Sequence, residues 1–594
     1  MAERAILDWS HDGAPSSRRF GDVYFSSEGG LEEARAVFLA GCGLPGAWRG
    51  RNRFTVGELG FGTGLNILAL LELWRLQRPP HGRLAIFSIE AFPLSPQDAG
   101  RALAAWPALA DLAAPLLRRW PTAEGFHRID FPGLGASLDL AVMEAAEALG
   151  AWSGRADAWL LDGFSPARNP EIWRQEVLDL VARRSAPGAR AATFTVAGAV
   201  RRGLEAAGFA VTRQPGFGRK SQRLEASLGE SETPAERPPP RIAIIGAGIA
   251  GAALARAFKA HGLAPLVISD CGVAASGNPA ALVTPRLDAG GGVTAKLHAQ
   301  AFARAVDLYE AEVPAAIIAR GAVQLEAAER DSRRFDTVSM SPLFEPGALG
   351  RLDAALASER LGEAWGAGGL WISEGLVVEP RPILQAWLDG CPRIEAEAAS
   401  LRRGAEGWEI LGPGGEVIAS ADIICLAGGH GSRRIRPELA LEPVRGQASF
   451  SQGGEQAQAA AWGGYVIPTR EGLLFGATHD RGREDIAVTQ DDHDRNLQTL
   501  AQARPGLAAR LRDLPLQGRA ALRASTPDRA PIAGELEPGV IVLTGFGGRG
   551  FTLAPLLAEH LAAKALGAPS PLPGPLAATV ACRPFRSRPT HTPD

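Results

Sequence analysis

Two glycine-rich turns, each set between a short apolar strand and a helical run, constrain this chain more than any other feature. The first is Val56-Gly-Glu-Leu-Gly-Phe-Gly-Thr-Gly64, leading into Leu65–Leu76; the second is Ile244-Ile-Gly-Ala-Gly-Ile-Ala-Gly251, leading into Ala252–Ala260. Without a Cβ the backbone can turn sharply and lie against a ligand. The helix that follows aims free amides at an anion. Strand, glycine turn and helix in that order open the α/β folds whose ligands bind at the carboxyl ends of a mostly parallel sheet. Two such openings in 594 residues call for at least two hydrophobic cores, because one core stops growing near ~250–300 residues.

The seam between them is Leu228-Gly-Glu-Ser-Glu-Thr-Pro-Ala-Glu-Arg-Pro-Pro-Pro240, which is almost free of apolar side chains. Its prolines favour extended backbone over packed structure. The apolar run Arg241-Ile-Ala-Ile-Ile245 follows at once, as a buried parallel strand opening a new domain does. The expected division is a first domain at 1–230, a linker at 231–240 and a second domain at 241–594. Both halves alternate β-branched runs with alanine- and leucine-rich stretches, the mark of α/β folds. Strands are expected in the first half at Phe54–Leu59, Leu84–Glu90, Leu138–Val142, Ala158–Asp162 and Ala191–Thr195. In the second half, alternating runs such as Gly407–Leu411 and Val540–Thr544 suit a mixed sheet capping a dinucleotide fold. The proline-rich tail after Ala568 reads as an extended arm or a frayed end.

Composition narrows the partners. A net charge of −3 excludes a uniformly basic nucleic-acid-binding face, so any such contact must be a local patch. Arg183–Arg184, Arg201–Arg202 and Arg219–Lys220 are candidates, although each pair alone suits a solvated helix face equally well. The five cysteines, at 42, 271, 391, 425 and 582, are scattered, with no close pair and no histidine at ligand spacing. That argues against a metal site and a disulfide framework, and unpaired thiols suit a reducing compartment. The start, Met1-Ala-Glu-Arg4, lacks an apolar signal core, and no apolar run reaches the roughly 20 residues of a membrane span. A cytoplasmic chain with no membrane and no metal is expected.

In the first half, acids accompany the glycines. Gly60, Gly62 and Gly64 let the backbone pass close to a ligand, and the turn lacks the Gly-Lys-Ser/Thr ending of a triphosphate loop. Glu58 suits the charged amino-acid end of S-adenosylmethionine. Glu90 closes the next strand, where a carboxylate can take both ribose hydroxyls. Asp162 ends a further strand and begins Asp-Gly-Phe-Ser-Pro-Ala-Arg-Asn-Pro-Glu-Ile-Trp173, dense enough in loop and aromatic residues to form a substrate loop. A lone aspartate there would otherwise be a turn cap.

In the second half, Gly246, Gly248 and Gly251 lie between strand and helix, and Asp270 closes the following strand, roughly twenty residues on, where it can bind an adenosine ribose. This pattern suits FAD and NAD alike.

Longer runs carry a family resemblance. Glu58-Leu-Gly-Phe-Gly-Thr-Gly-Leu-Asn66, Leu160–Trp173, Thr193-Phe-Thr-Val-Ala-Gly-Ala-Val-Arg-Arg-Gly-Leu204 and Gly216-Phe-Gly-Arg-Lys220 resemble the methyltransferase half of the MnmC family, the bifunctional tRNA 5-methylaminomethyl-2-thiouridine biosynthesis proteins. Ala274-Ala-Ser-Gly-Asn278, Leu426-Ala-Gly-Gly-His430, Pro443-Val-Arg-Gly-Gln447, Leu522-Arg-Ala-Ser-Thr-Pro-Asp528 and Gly545-Phe-Gly-Gly-Arg-Gly550 resemble the D-amino-acid-oxidase-like flavoproteins and the oxidoreductase half of the same family. Ala-Gly-Gly-His and Gly-Gly-Arg-Gly depart from the more usual Ala-Asn-Gly-His and Gly-Ser-Arg-Gly but keep the small residues and the arginine.

The resemblance implies an α/β fold in two parts: a Rossmann-like class I methyltransferase, then a dinucleotide-binding FAD domain with a mixed-sheet substrate domain. It implies Glu58, Gly60, Gly62 and Glu90 around S-adenosylmethionine, Glu144 facing the adenine and Asp162 where the methyl group passes. Ser276, Asn278, Gly547 and Gly550 would lie along the flavin, with Arg523 and Arg549 facing a substrate carboxylate. For either arginine a salt bridge or a flavin contact is the competing role. The substrate implied is tRNA: the flavin domain would release glyoxylate from a carboxymethylaminomethyl group, and the first domain would methylate the amine left behind. Residues alone leave two rivals, an enzyme pair acting on glycine- or sarcosine-like amines and a tRNA-binding protein with vestigial cofactor sites.

Overall fold

The computed structural model describes residues 3–11, 13–25, 29–218, 221–230, 238–270 and 275–583. It divides into two compact units, Met1–Arg237 with Leu566–Gly574, and Pro238–Ala565 with Pro575–Asp594.

The first unit is built on eight strands: β1 (Arg53–Leu59), β2 (Arg83–Glu90), β3 (Gly125–Phe131), β4 (Ala136–Val142), β5 (Ala156–Leu161), β6 (Ser185–Thr193), β7 (Ala210–Pro215) and β8 (Gln222–Leu228). Their order across the sheet is β7-β8-β6-β5-β1-β2-β4-β3. β4, β2, β1, β5 and β6 run parallel; β3 at one edge and β8 at the other are antiparallel to them, and β7, beyond β8, again runs with the five. β1 is buried from Phe54 through Leu59, as a strand covered on both faces must be. The chain runs from β1 outward to β2, then returns across β1 to β5, so the crevice at this sheet lies over the carboxyl ends of β1 and β5. Leu59 pairs with Leu161, which delivers Gly60 and Asp162 side by side at that edge. Helix α1 (Leu65–Gln77) follows the glycine turn and is buried along most of its first half.

In the second unit a six-stranded sheet has the order Arg393–Glu395, Leu266–Ser269, Ile242–Ile245, Ile423–Leu426, Val540–Thr544, Ile532–Glu537. All neighbours are parallel except the last pair. A ten-stranded mixed sheet, whose longest strands are Ile317–Leu325, Gly369–Val378, Glu442–Gln452 and Leu516–Ser525, forms the substrate layer.

Two strands expected in the capping sheet lie elsewhere. Val540–Thr544 is a buried strand of the dinucleotide sheet; its unbroken Val-Ile-Val-Leu run is the mark of a parallel strand covered on both faces, not of a half-exposed one. Gly407–Leu411 belongs to a separate three-stranded sheet with Ser400–Gly404 and Val417–Ala421. Up to residue 583 the tail also departs from expectation; residues 584–594 lie outside the described residues. Ser570 and Leu572 are buried, and Gly574–Val580 is a helix. Within the first unit, a Cβ at Gly154 would stand 3.0 Å from Pro569. Prolines there stiffen a packed segment. Of the seam, Leu228 closes β8, and the expected linker residues 231–237 lie outside the described residues.

Candidate active sites

At the first site, backbone geometry demands the glycines. Gly60 has φ +85°, and a Cβ there would run into the carbonyl oxygen of Asp162. At Gly62 a Cβ would stand 3.1 Å from the Tyr24 ring. The turn is held from below by Glu90, whose two oxygens accept the Gly62 N–H and the Phe92 N–H, each at 2.9 Å. One lone pair per oxygen remains for a ligand hydroxyl.

Asp162 and Glu90 stand near enough to Glu58 to raise its cost of ionisation. Glu58 is fully buried; Ser88 donates to Oε2, while Oε1 has no hydrogen-bond partner. Burial, opposed by the Ser88 hydrogen bond and reinforced by the charge of Asp162, holds its carboxyl well above the usual range. Burial also raises Glu90, against the pull of the backbone amides it accepts from. Asp162 accepts from Asn66 Nδ2 at 2.7 Å, and its own N–H donates to Leu59 O at 3.0 Å. An unmatched buried oxygen and a concentration of acid groups suit a ligand that brings a cation, as a sulfonium bearing an amino-acid end does. Glu144 is exposed and precedes the helix Ala145–Ala151, at the carboxyl edge just past β4.

Sequence reasoning missed three participants. Asn66 opens α1 and orients Asp162. Asp22 accepts the Ser165 N–H at 3.0 Å and so pins the loop after β5. Tyr24 covers the turn. The run Phe20-Gly-Asp-Val-Tyr-Phe25 was the available signal, since it holds one of only three tyrosines in the chain.

The basic pairs are divided. Arg184 donates to Leu149 O and Gly150 O, and Arg201 is paired with Glu205 at 2.7 Å. Arg183 and Arg202 are exposed. Arg219 and Lys220 lie outside the described residues, as does Ala274 of the second half.

At the second site, a Cβ on Gly251 would collide with Gly246 O, and one on Gly246 would stand 2.6 Å from Ala427 O. The helix Ile249–Ala260 therefore begins directly against the turn and the neighbouring strand end. Ser276 Oγ accepts the Ile249 N–H at 3.0 Å and lies 3.2 Å from a Cβ placed on Gly248. This cradle fits a pyrophosphate on a helix N-terminus. Asp270 is exposed just past the strand Leu266–Ser269, and Asn278 accepts from Arg519 at 2.8 Å.

The two candidate arginines come from neighbouring backbone, since Gly547 N–H donates to Ala524 O at 2.8 Å, but their side chains keep different company. Arg523 lies against Gly446, close to Thr478 O. Arg549 donates to Thr284 O at 3.3 Å, just ahead of the helix that begins at Gly550. Burial, with the charge of Arg286 added, lowers Arg549 to about 10, so it stays cationic at neutral pH. His298, buried with Nδ1 unpartnered, is pushed down to about 4 by burial and then by Arg549 and Arg286. A cationic pocket with a neutral imidazole suits a carboxylate-bearing amine. Arg286 and His298 carried no motif that sequence reasoning could have used. Among the described residues, no three His, Cys, Asp or Glu side chains group to hold a metal ion, and no helix is long and apolar enough to cross a membrane.

The S-adenosyl-L-methionine-dependent methyltransferase family matches residues 107–229, and the FAD dependent oxidoreductase family matches residues 241–564. The tRNA 5-methylaminomethyl-2-thiouridine biosynthesis bifunctional protein MnmC of Caulobacter sp. strain K31 is 57% identical over 593 residues, covering 98% of each chain. The protein of the same name from Caulobacter vibrioides is 58% identical over 569 residues, 96% of this chain and 95% of its own. Among solved structures, fructosyl amine:oxygen oxidoreductase (Amadoriase I) from Aspergillus fumigatus matches 59% of this chain and 91% of its own with a TM-score of 0.50 at 16% identity, a likeness of fold. The chain therefore belongs to the MnmC family of bifunctional tRNA-modifying enzymes, with an S-adenosylmethionine-dependent methyltransferase domain and an FAD-dependent oxidoreductase domain.

Proposed function

We propose that the chain completes the side chain of a wobble uridine in two steps. The oxidoreductase domain removes the two-carbon acid from 5-carboxymethylaminomethyluridine, with or without 2-thiolation, and the methyltransferase domain converts the resulting aminomethyl group to methylaminomethyl. The observation that carries this reading is the contrast between the two pockets: acids beside the first glycine turn, arginines beyond the second. The setting we infer for an enzyme acting on tRNA is the cytoplasm.

FAD, when bound, supplies a hydride acceptor. Arg549 and Arg523 would hold the substrate carboxylate and so orient the neighbouring carbon; once the amine is oxidised at that carbon, water hydrolyses the resulting C–N double bond to glyoxylate and a primary amine. Gly547 and Gly550, with Ser276, Asn278 and Asp270, would hold FAD. The methyl donor, when bound, supplies a methyl group on a positively charged sulfur. Glu58, Gly60, Gly62, Gly64, Glu90 and Glu144 surround it. Asp162, fixed by Asn66, takes the proton that the amine must lose to be a nucleophile.

The test is nucleoside mass spectrometry of tRNA from a strain lacking this protein. Carboxymethylaminomethyluridine should stand where methylaminomethyluridine stood. Unchanged tRNA, with free glycine or sarcosine turned over by the purified yellow protein, would overturn the reading.

A further inference from the structure

Four partly exposed aromatic rings stand in a row beside the first glycine turn, and the chemistry above uses none of them. Phe92, two residues past Glu90, meets Phe20 with ring centroids 5.8 Å apart at 62°. Phe20 meets Phe164 at 5.0 Å and 35°, and Phe164 meets Tyr24 at 5.0 Å and 74°. Tyr24 lies on the turn, 3.1 Å from where a Gly62 Cβ would stand. Phe164 is two residues beyond Asp162. The row thus starts beside Glu90, passes Phe164 in the loop that Asp162 opens, and returns at Tyr24 to the turn that Glu90 holds.

The row is fixed before any ligand arrives. Asp22 holds the Ser165 N–H at 3.0 Å, and Gly21 N–H donates to Ser17 O at 2.7 Å. Burial, with the Glu90 charge behind it, holds the Tyr24 phenol above its usual range, so it remains a neutral ring. The rings are partly exposed, and Tyr24 also packs against the hydrophobic core of the first unit. Guanidinium groups flank them: Arg168 donates to Phe20 O at 3.3 Å, and Arg19, which also pairs with Glu3 at 2.6 Å, lies 4.2 Å over Phe92. Partly exposed rings beside arginines are one way proteins hold unpaired nucleotides, the rings stacking on bases and the cations meeting phosphates.

We propose that Phe20, Phe164 and Tyr24 form the stacking platform for the unpaired acceptor uracil, with Arg168 meeting an adjacent phosphate. The base lies against the Phe164 ring, with Phe20 and Tyr24 bounding it at an angle, and its C5 substituent is directed toward Asp162. Phe92, at the Glu90 end, belongs to the adenosine side. This inference rests on the tRNA-methylating function proposed above and adds the residues that recognise its acceptor.

The test uses the full chain, tRNA bearing 5-aminomethyluridine, and S-adenosylmethionine affinity measured by calorimetry without tRNA. Phe164→Leu should lower kcat/KM for tRNA roughly tenfold or more, with donor affinity held within about twofold. Phe164→Tyr, which keeps the ring face, should recover most of that loss. Phe20→Leu, on the more exposed segment, gives the same comparison if Phe164→Leu does not fold. Donor affinity falling in step with kcat/KM would overturn the platform, since the row would then be a cofactor wall. So would variants with unaltered kcat/KM. A wild-type chain that binds the donor yet methylates no tRNA amine would overturn the function itself, and the platform with it.

Discussion

The two glycine turns share one backbone device and opposite surroundings. Both bring a helix N-terminus against a ligand groove, and in both a Cβ would collide with neighbouring backbone, at Gly60 in the first and at Gly246 and Gly251 in the second. Around the first stand Glu58, Glu90 and Asp162; beyond the second stand Arg549, Arg286 and a neutral His298. The backbone provides for close approach, and the side chains decide the charge of what approaches. A positively charged methyl donor suits the first, and a pyrophosphate with a carboxylate substrate suits the second.

The largest expected effect breaks the acid side of this comparison. Asp162→Asn should slow methyl transfer by about 10²–10⁴-fold, the usual cost of losing a positioned general base, while flavin-dependent cleavage continues. Single-turnover methylation of aminomethyluridine tRNA checks it; an unchanged rate would reduce Asp162 to a turn residue held by Asn66.

The arginine side should break less sharply. Arg549→Lys should keep FAD and methyltransferase activity but slow cleavage roughly ten- to a hundredfold, because a point charge replaces a planar fork. Arg523→Lys, whose guanidinium already lies against Gly446, should follow more mildly. Carboxymethylaminomethyluridine accumulating in tRNA is the readout, and loss of the flavin spectrum in Arg549→Lys would make that residue a cofactor contact instead.

The smallest effects concern stability, and here the comparison is one of sign. Glu58 binds its proton more tightly folded than unfolded, so its contribution is lost as pH rises from about 4.5 toward its raised folded pKa. His298 and His560 bind theirs less tightly folded, each lowered from 6.5 to about 4, so their contribution is present above 6.5 and lost as pH falls toward 4. Thermal unfolding followed with pH should show Glu58→Gln stabilising the first unit above neutrality and His298→Gln flattening the acid limb of the second. A truncated chain of residues 1–230 should still methylate, yet melt earlier than the same unit in the full chain, for want of Pro569 against Gly154.

Much of this was legible beforehand, for identifiable reasons. Gly60, Gly62, Glu90 and Asp162 follow from the strand–turn–helix grammar, because adjacent parallel strands must deliver their carboxyl ends to one edge. Asn66 stood inside the quoted glycine motif and Asp22 and Tyr24 inside the run Phe20–Phe25, but their roles were not legible, since they rest on side-chain contacts that no spacing in sequence marks. Val540–Thr544 was read as a strand but not assigned to the dinucleotide sheet, since neighbours across a sheet are set by tertiary packing. The buried tail was missed because proline-rich composition signals stiffness and not exposure.

The account's central claim is that acid-lined and arginine-lined sites act in turn on one tRNA side chain. It is tested most directly by incubating the full chain with tRNA bearing carboxymethylaminomethyluridine and following the nucleosides by mass spectrometry. Without S-adenosylmethionine the aminomethyl nucleoside should accumulate with release of glyoxylate; adding the donor should carry it on to methylaminomethyluridine. A modified uridine left intact by flavin-loaded protein, or methylation arriving with no aminomethyl precursor, would contradict the account.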